Sequence, residues 1–299
     1  MSHAGLARLA NDDGLFKILA LDQRAMLGRM LSGAGLPSAN SDRVAFKAEV
    51  TQALAAETSG VLLDPEYGVA GLATVPDFTL PSALLIAAEP TVKDHWNKEY
   101  RTVLDPTRDA AWVRSLNGDA LKFMLYWDPS RTAVAGEPDL VQESLDRVAE
   151  IVADCHTQDL PSVIEPLLTV PKDAGQEDHR FDTIVRSAAM LAELKPSLLK
   201  LEWPGSAERC KQITALLPDV PWALLSAGVE YEAFAERVAV ALDNGASGVI
   251  AGRAIWGEAA SVAGPERSAF LTDVALPRLK HLTTVMQGRG RSWKEAIKS

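Results

Sequence analysis

The sequence predicts an α/β fold: a single (β/α)8 barrel of the TIM type spanning residues 1–299, with a helical C-terminal extension. Three observations predict it. Eight short apolar runs, bounded by Gly, Pro or polar residues, read as fully buried strands. Amphipathic segments with helical spacing lie between them. No two-residue hairpin turn joins one run to the next, so the strands pair in parallel through crossovers. Eight such units in a chain of this length fit a closed barrel better than an open, doubly wound sheet.

In order, the strand runs are Leu15–Leu21, Gly60–Leu63, Ala83–Ala88, Ala120–Leu125, Ser162–Leu168, Leu198–Trp203, Trp222–Leu225 and Gly248–Ala251. The first helical pattern covers Asp42–Thr58. Pro65–Pro81 is short for a crossover helix, which makes the second unit the least regular. Pro138-Asp139 opens a helix over Asp139–His156, and Lys195-Pro196 closes one over Asp182–Leu194. Ser206–Leu217 follows, and Asn244-Gly245 closes a helix that begins at Tyr231. The tail, Thr272–Ser299, reads as a solvated outer helix bearing Arg278, Lys280, Arg289, Arg291, Lys294 and Lys298.

Composition narrows the chemistry. Apolar residues make up 47% of the chain, enough for a large core. Thirty Lys and Arg stand against 40 Asp and Glu, a formal charge of -10. Nucleic acid and anionic membrane need a basic surface and are excluded as main partners. An anionic substrate must instead meet a local cation. Cys155 and Cys210 form no CxxC pattern, so a reduced, cytoplasmic setting is expected. Met1–Asp13 has no signal-peptide pattern, and no apolar run reaches membrane-span length. A homo-oligomer is expected; an exposed apolar face on an outer helix would mark it.

The ends of the strand runs carry, in order, Asp22, Asp64, Glu89, Lys122, Glu165, Lys200, Ser226 and Arg253. In a barrel these ends line one mouth, where catalytic groups collect. Lys122 and Lys200 lie inside apolar strands, and a buried ammonium needs a partner or a lowered pKa. A lysine with a lowered pKa is an amine nucleophile. Neighbouring strands are about 4.8 Å apart, so the two lysines would flank Glu165, a candidate proton shuttle. Lys200 and Glu202 share a strand face, making Glu202 a second acid/base candidate. Ser226-Ala227-Gly228 and Gly252-Arg253 end the last two strands in small residues beside a charged fork, a pattern suited to phosphate.

Metal is disfavoured. The five histidines show no ligand spacing, and the best divalent-cation option is Asp64 with Glu89. The stretch after the first strand lacks a dinucleotide glycine fingerprint.

These pieces assemble into a recognisable pattern. It comprises Ala20-Leu21-Asp22-Gln23-Arg24, Leu62-Leu63-Asp64-Pro65-Glu66-Tyr67-Gly68, Ala120 to Tyr126, Ile164-Glu165-Pro166, Leu199 to Pro204, Leu225 to Val229, and Ala251 to Trp256. In order and spacing it resembles the tagatose-bisphosphate aldolase family of metal-independent class I aldolases, which includes sulfofructose-phosphate aldolases. The resemblance covers about Lys17–Leu282. It implies a (β/α)8 barrel with Lys200 as the Schiff-base residue, Glu165 as proton shuttle, and Lys122, Asp22 and Gln23 beside them. It places substrate on Gln23 and Arg24, and its phosphate on Ser226, Gly228, Gly252 and Arg253. It also implies a sugar-phosphate substrate, dihydroxyacetone phosphate as product, and no cofactor. Asp64–Gly68 and Lys122–Tyr126 look like the tagatose-bisphosphate branch; Val163–Pro166 and the C-terminal third look like the sulfosugar branch. Trp203 and Pro129-Ser130-Arg131 depart from the pattern, at the far end of the substrate. Two other readings remain open: a Mg²⁺-dependent lyase or mutase using Asp64 and Glu89, and a sugar-phosphate sensor without turnover.

Overall fold

The computed structural model describes residues 3–169 and 177–297. Its centre is a closed barrel of eight parallel strands. They are β1 (Phe16–Leu21), β2 (Gly60–Leu63), β3 (Ala83–Ala87), β6 (Ala120–Trp127), β7 (Ser162–Leu168), β8 (Leu198–Leu201), β9 (Trp222–Leu225) and β10 (Gly248–Ala251). Two further short strands, β4 (Asp94–Trp96) and β5 (Glu99–Arg101), form a separate antiparallel pair. The barrel closes where β1 pairs with β10, at Phe16 opposite Gly248.

Strand parity explains the interior. Phe16, Ile18, Ala20, Leu62, Leu85, Ala87, Ala120, Val163, Leu198, Ala223 and Ile250 form one buried cluster inside the barrel. Side chains alternate along a strand, so the next residues of the same parity also project inward. These are Asp22, Asp64, Glu89, Lys122, Glu165 and Lys200. The interior changes from apolar to ionic within one or two pleats of each strand.

Two expectations are corrected and a third agrees with the structure. The C-terminal tail is no freely solvated helix. Leu279, Leu282 and Met286 of the helix Leu276–Met286 are buried, and Trp293 joins Leu6 and Leu9 in the interior cluster, closing the barrel floor. Arg291 donates to the carbonyls of Leu217 at 3.1 Å and Pro218 at 2.6 Å, tying the tail down. Lys298 lies outside the described residues. The crossover from β3 to β6 does contain a hairpin, β4–β5, turning on Asn97 and Lys98 at φ 44° and 71°. Its two central residues share the positive φ of a type I′ turn without the usual Gly. The crossover from β2 to β3 is indeed short: a π-turn at Pro65–Val69, capped by the Asp64 side chain on the Tyr67 amide, then Ala70–Leu72. Among the described residues, no helix is long and apolar enough to cross a membrane.

Candidate active site

Lys122, in the middle of β6, is completely buried. Its ammonium meets Asp22 Oδ2 at 2.8 Å, Glu165 Oε2 at 2.9 Å and Glu89 Oε1 at 3.1 Å. The register makes this unavoidable, because β6 lies between β3 and β7, and Ala87, two residues before Glu89, pairs with Lys122. Glu89 Oε2 also accepts the Met124 amide at 3.2 Å. Burial alone would lower the Lys122 pKa. The carboxylates of Asp22, Glu165 and Glu89 overcome that and raise it well above the ordinary lysine value. Of the two routes open to a buried lysine, Lys122 therefore takes the paired one.

Lys200, on β8, donates to the same Glu165 Oε2 at 2.9 Å. One carboxylate oxygen thus bridges two lysine amines. Burial pushes the Glu165 carboxyl up, but Lys122 and Lys200 outweigh it and hold its pKa below the ordinary glutamate value. Asp22 behaves alike. Burial raises it, and the ammoniums of Lys122, Lys200 and Lys47 bring it well below the carboxylate range. Both groups are therefore ionised at neutral pH.

Carboxylates whose folded pKa is depressed contribute stability above their unfolded pKa and lose it as pH falls through the folded value. Stability to urea should decline as pH drops below about 4, the unfolded carboxylate range. Asp22→Asn should flatten that acid limb. An unchanged limb in the variant would show that Asp22 gains nothing from its lysines.

At the far side of the mouth, Ala227 and Gly228 turn the chain after β9 with φ 49° and 77°. A Cβ on Gly228 would lie 2.9 Å from Arg253 Cζ, so glycine lets the guanidinium pack against the backbone. Ser226 Oγ accepts the Gly252 amide at 3.3 Å, joining the two turns. Arg253 makes no ion pair among the described residues; its nearest bond is a 3.5 Å contact to the Ala227 carbonyl. Gln23 reaches toward this corner: its Nε2 lies 3.2 Å from where a Gly252 Cβ would stand. Its Oε1 is buried without a partner among the described residues.

Several candidate residues are engaged by other groups of the protein. Arg24 turns away from the Ser226–Arg253 corner. It ion-pairs with Glu66 at 3.0 Å and donates to the carbonyls of Glu89 at 3.0 Å and Ala87 at 3.3 Å. It thereby ties the loop after β1 to those after β2 and β3. Asp64 and Glu89 do not form a cation site. Asp64 Oδ1 is taken by the Lys47 amine and Oδ2 by the Tyr67 amide, while both Glu89 oxygens serve Lys122 and Met124. No cluster of three metal-ligating side chains occurs among the described residues. Glu202, the second acid/base candidate, is held by Arg180 through both oxygens at 2.7 Å.

Lys47 is the residue that sequence reading misses. It lies in the helix Asn40–Leu54 on a buried stripe with Val50, Thr51 and Leu54. A lysine at i of an i, i+3, i+4, i+7 apolar stripe is the signal that would have found it. Burial lowers the Lys47 pKa against the pull of Asp64, and burial raises that of Asp64 against the pull of Lys47.

A closed parallel barrel with lysines and carboxylates at its mouth can be set beside known proteins. Residues 16–258 match the model of the DeoC/LacD family of aldolases. A tagatose 1,6-diphosphate aldolase of Listeria innocua is 29% identical, covering 88% of this chain and 83% of its own. One from Streptococcus pneumoniae is 26% identical and covers 98% of this chain and 97% of its own. In solved structures, an archaeal fructose 1,6-bisphosphate aldolase superposes with a TM-score of 0.66 at 18% identity, over 95% of this chain and 98% of that one. A Schiff-base-forming fructose-1,6-bisphosphate aldolase gives a TM-score of 0.65 at 18% identity, over 94% of this chain and 98% of that one. These likenesses show the same barrel. The family match spans every strand of it, and on that ground the chain belongs to the DeoC/LacD family of aldolases.

Proposed function

We propose that this aldolase cleaves a ketose 1-phosphate, of the tagatose 1,6-bisphosphate kind, through a Schiff base on Lys200, releasing dihydroxyacetone phosphate and an aldehyde. The observation that carries the reading is the bridging oxygen of Glu165 between Lys200 and Lys122. Lys200 passes a proton to Glu165 and attacks the ketose carbonyl with its free amine. Glu165 returns that proton to the departing hydroxyl, and loss of water leaves an iminium ion with Glu165 ionised again. Glu165 then takes the proton of the hydroxyl on the carbon beyond the scissile bond. That bond breaks, its electron pair enters the iminium as an enamine, and the aldehyde departs. Protonation of the enamine and hydrolysis free the product and regenerate Lys200. Lys122, pinned by Asp22 and Glu89, keeps a fixed positive charge beside the proton shuttle throughout.

The substrate phosphate is assigned to Ser226, Arg253 and the amides at Gly228 and Gly252, with Gln23 alongside. Strands β9 and β10 follow β8 around the barrel, which puts this corner roughly 5 to 10 Å from the Lys200 strand. That suits an ester one carbon from the carbonyl. The names of the relatives support tagatose 1,6-bisphosphate as substrate. The test is triose phosphate release from a panel of ketose phosphates, sulfofructose 1-phosphate included, with borohydride trapping of the imine.

Arg253→Ala should lower kcat/KM for phosphorylated ketoses by about 1.5–3 kcal/mol, the worth of a charge-assisted contact. The loss should be much smaller with the unphosphorylated sugar. Equal losses on both would move the phosphate elsewhere.

A further inference from the structure

We infer that Glu66 is a positioning residue for the cleavage: it clamps Arg24 and Arg108 onto the backbone of Glu89 and so keeps the Glu89 carboxylate on Lys122. The inference rests on the retro-aldol reading above and adds to it a residue outside the Lys200–Glu165–Lys122 centre.

Glu89 lies where the strand ladder ends. Ala87 is the last residue of β3 and pairs with Lys122, and the Ala88 amide still donates to the Lys122 carbonyl at 2.9 Å. The Glu89 carbonyl, one residue on, accepts two arginines instead: Arg24 Nη1 at 3.0 Å and Arg108 Nη1 at 3.4 Å. Arg24 Nη2 also donates to the Ala87 carbonyl at 3.3 Å. The side chain of the same Glu89 holds Lys122 at 3.1 Å and accepts the Met124 amide at 3.2 Å. The arginines therefore fix the backbone of a residue whose carboxylate fixes Lys122.

Two guanidiniums converging on one carbonyl oxygen repel each other. Glu66, presented by the turn Pro65–Val69, stands between them. Its Oε2 lies 3.0 Å from Arg24 Nε and its Oε1 2.8 Å from Arg108 Nη2. Thr91 Oγ1 donates to Glu66 Oε1 at 2.6 Å and accepts from Arg24 at 3.4 Å. Burial pushes the Glu66 carboxyl up, but the Thr91 hydroxyl and the two guanidiniums outweigh it and hold its pKa below the ordinary glutamate value. The bridge is therefore charged at neutral pH. Arg108 has a second carboxylate, Asp105 at 3.1 Å, whereas Arg24 ion-pairs with Glu66 alone among the described residues.

Removing the charge of Glu66 leaves Arg24 uncompensated beside Glu89, where its guanidinium competes with Lys122 for the carboxylate. Lys122 is then shared by Asp22 and Glu165 with less of Glu89. More of its positive charge falls on Glu165, which becomes a weaker base toward the substrate hydroxyl. The effect belongs to the chemical step, and substrate affinity has no part in it.

The experiment measures kcat and KM on tagatose 1,6-bisphosphate for Glu66→Gln, Glu89→Gln and the double variant. Rates are expressed per site titrated by borohydride trapping, so that an unfolded fraction does not count. Glutamine keeps the volume of Glu66 and an oxygen for Thr91. Glu66→Gln should lower kcat about tenfold and move KM by less than about twofold. Glu89→Gln should lower kcat at least as far, and the double variant no further than Glu89→Gln, because both changes act on one contact. Losses that multiply in the double variant overturn the inference, as does a Glu66→Gln loss confined to KM or a kcat equal to that of the unaltered enzyme. Each of those outcomes leaves the retro-aldol reading standing. No triose phosphate release or imine trapping by the unaltered enzyme with any ketose phosphate overturns both.

Discussion

Lys200→Ala is expected to reduce turnover by on the order of 10⁴-fold or more and to abolish borohydride trapping, with the fold retained. The scale is that of removing a covalent nucleophile, for which no neighbouring group substitutes. Folding should survive because the deletion does not strand a charge. Glu165 loses one of its two ammoniums but keeps Lys122 at 2.9 Å. A variant that still traps substrate, while Lys122→Met does not, would transfer the covalent role to Lys122. The geometry argues against that outcome: a lysine gripped by three carboxylates and raised well above its ordinary pKa holds its proton too firmly to attack a carbonyl.

Lys122→Met carries the second large effect, on stability. It removes the cation that Asp22, Glu89 and Glu165 share, with Glu89 and Glu165 buried and Asp22 partly so. Breaking a buried pair from one side typically costs about 3–5 kcal/mol, because the partner is left charged and desolvated. At roughly 2–4 °C per kcal/mol for a domain of a few hundred residues, the melting point should fall by on the order of 10 °C. The deficit should depend on pH. Without Lys122 the carboxylates prefer to be protonated, so the loss should be largest near neutrality and shrink as pH falls toward 4. A deficit below about 1 kcal/mol, or one constant between pH 5 and 8, would mean the carboxylates do not depend on this lysine. Slow but measurable imine trapping by the variant would agree with a supporting role in the chemistry.

The barrel was legible because its strands are buried on every side. Such strands read as continuous apolar runs, and a polar residue inside one stands out. Lys122 and Lys200 were visible for that reason, and parallel pairing with β7 between β6 and β8 then put Glu165 between them. What sequence could not show was side-chain direction off the strands. Arg24 follows Gln23 directly, yet one points to the Gly252 turn and the other to the loops after β2 and β3. Asp64 and Glu89 look alike as strand-end acids, but only the tertiary structure reveals that a helix lysine meets one and a strand lysine the other. The β4–β5 hairpin escaped notice because Asn97-Lys98 lacks the glycine that marks such turns. The tail misled because its basic residues look solvated, while the intervening Trp293 closes the barrel floor.

The division between strand and loop has a consequence for how this enzyme can diversify. Every group assigned to proton transfer sits on or immediately after a barrel strand, within the paired lattice. The β3–β6 connection, with its β4–β5 hairpin, lies outside that lattice. Connections of this kind tolerate insertion and replacement far better than the elements they join. A lineage could therefore exchange one leaving aldehyde for another by rewriting residues 92–107, with the carbon–carbon cleavage inherited unchanged. In a mutant library, variation restricted to that span should yield altered substrate range at a high frequency of active clones, and the same number of changes spread over the strand ends should yield mostly dead ones.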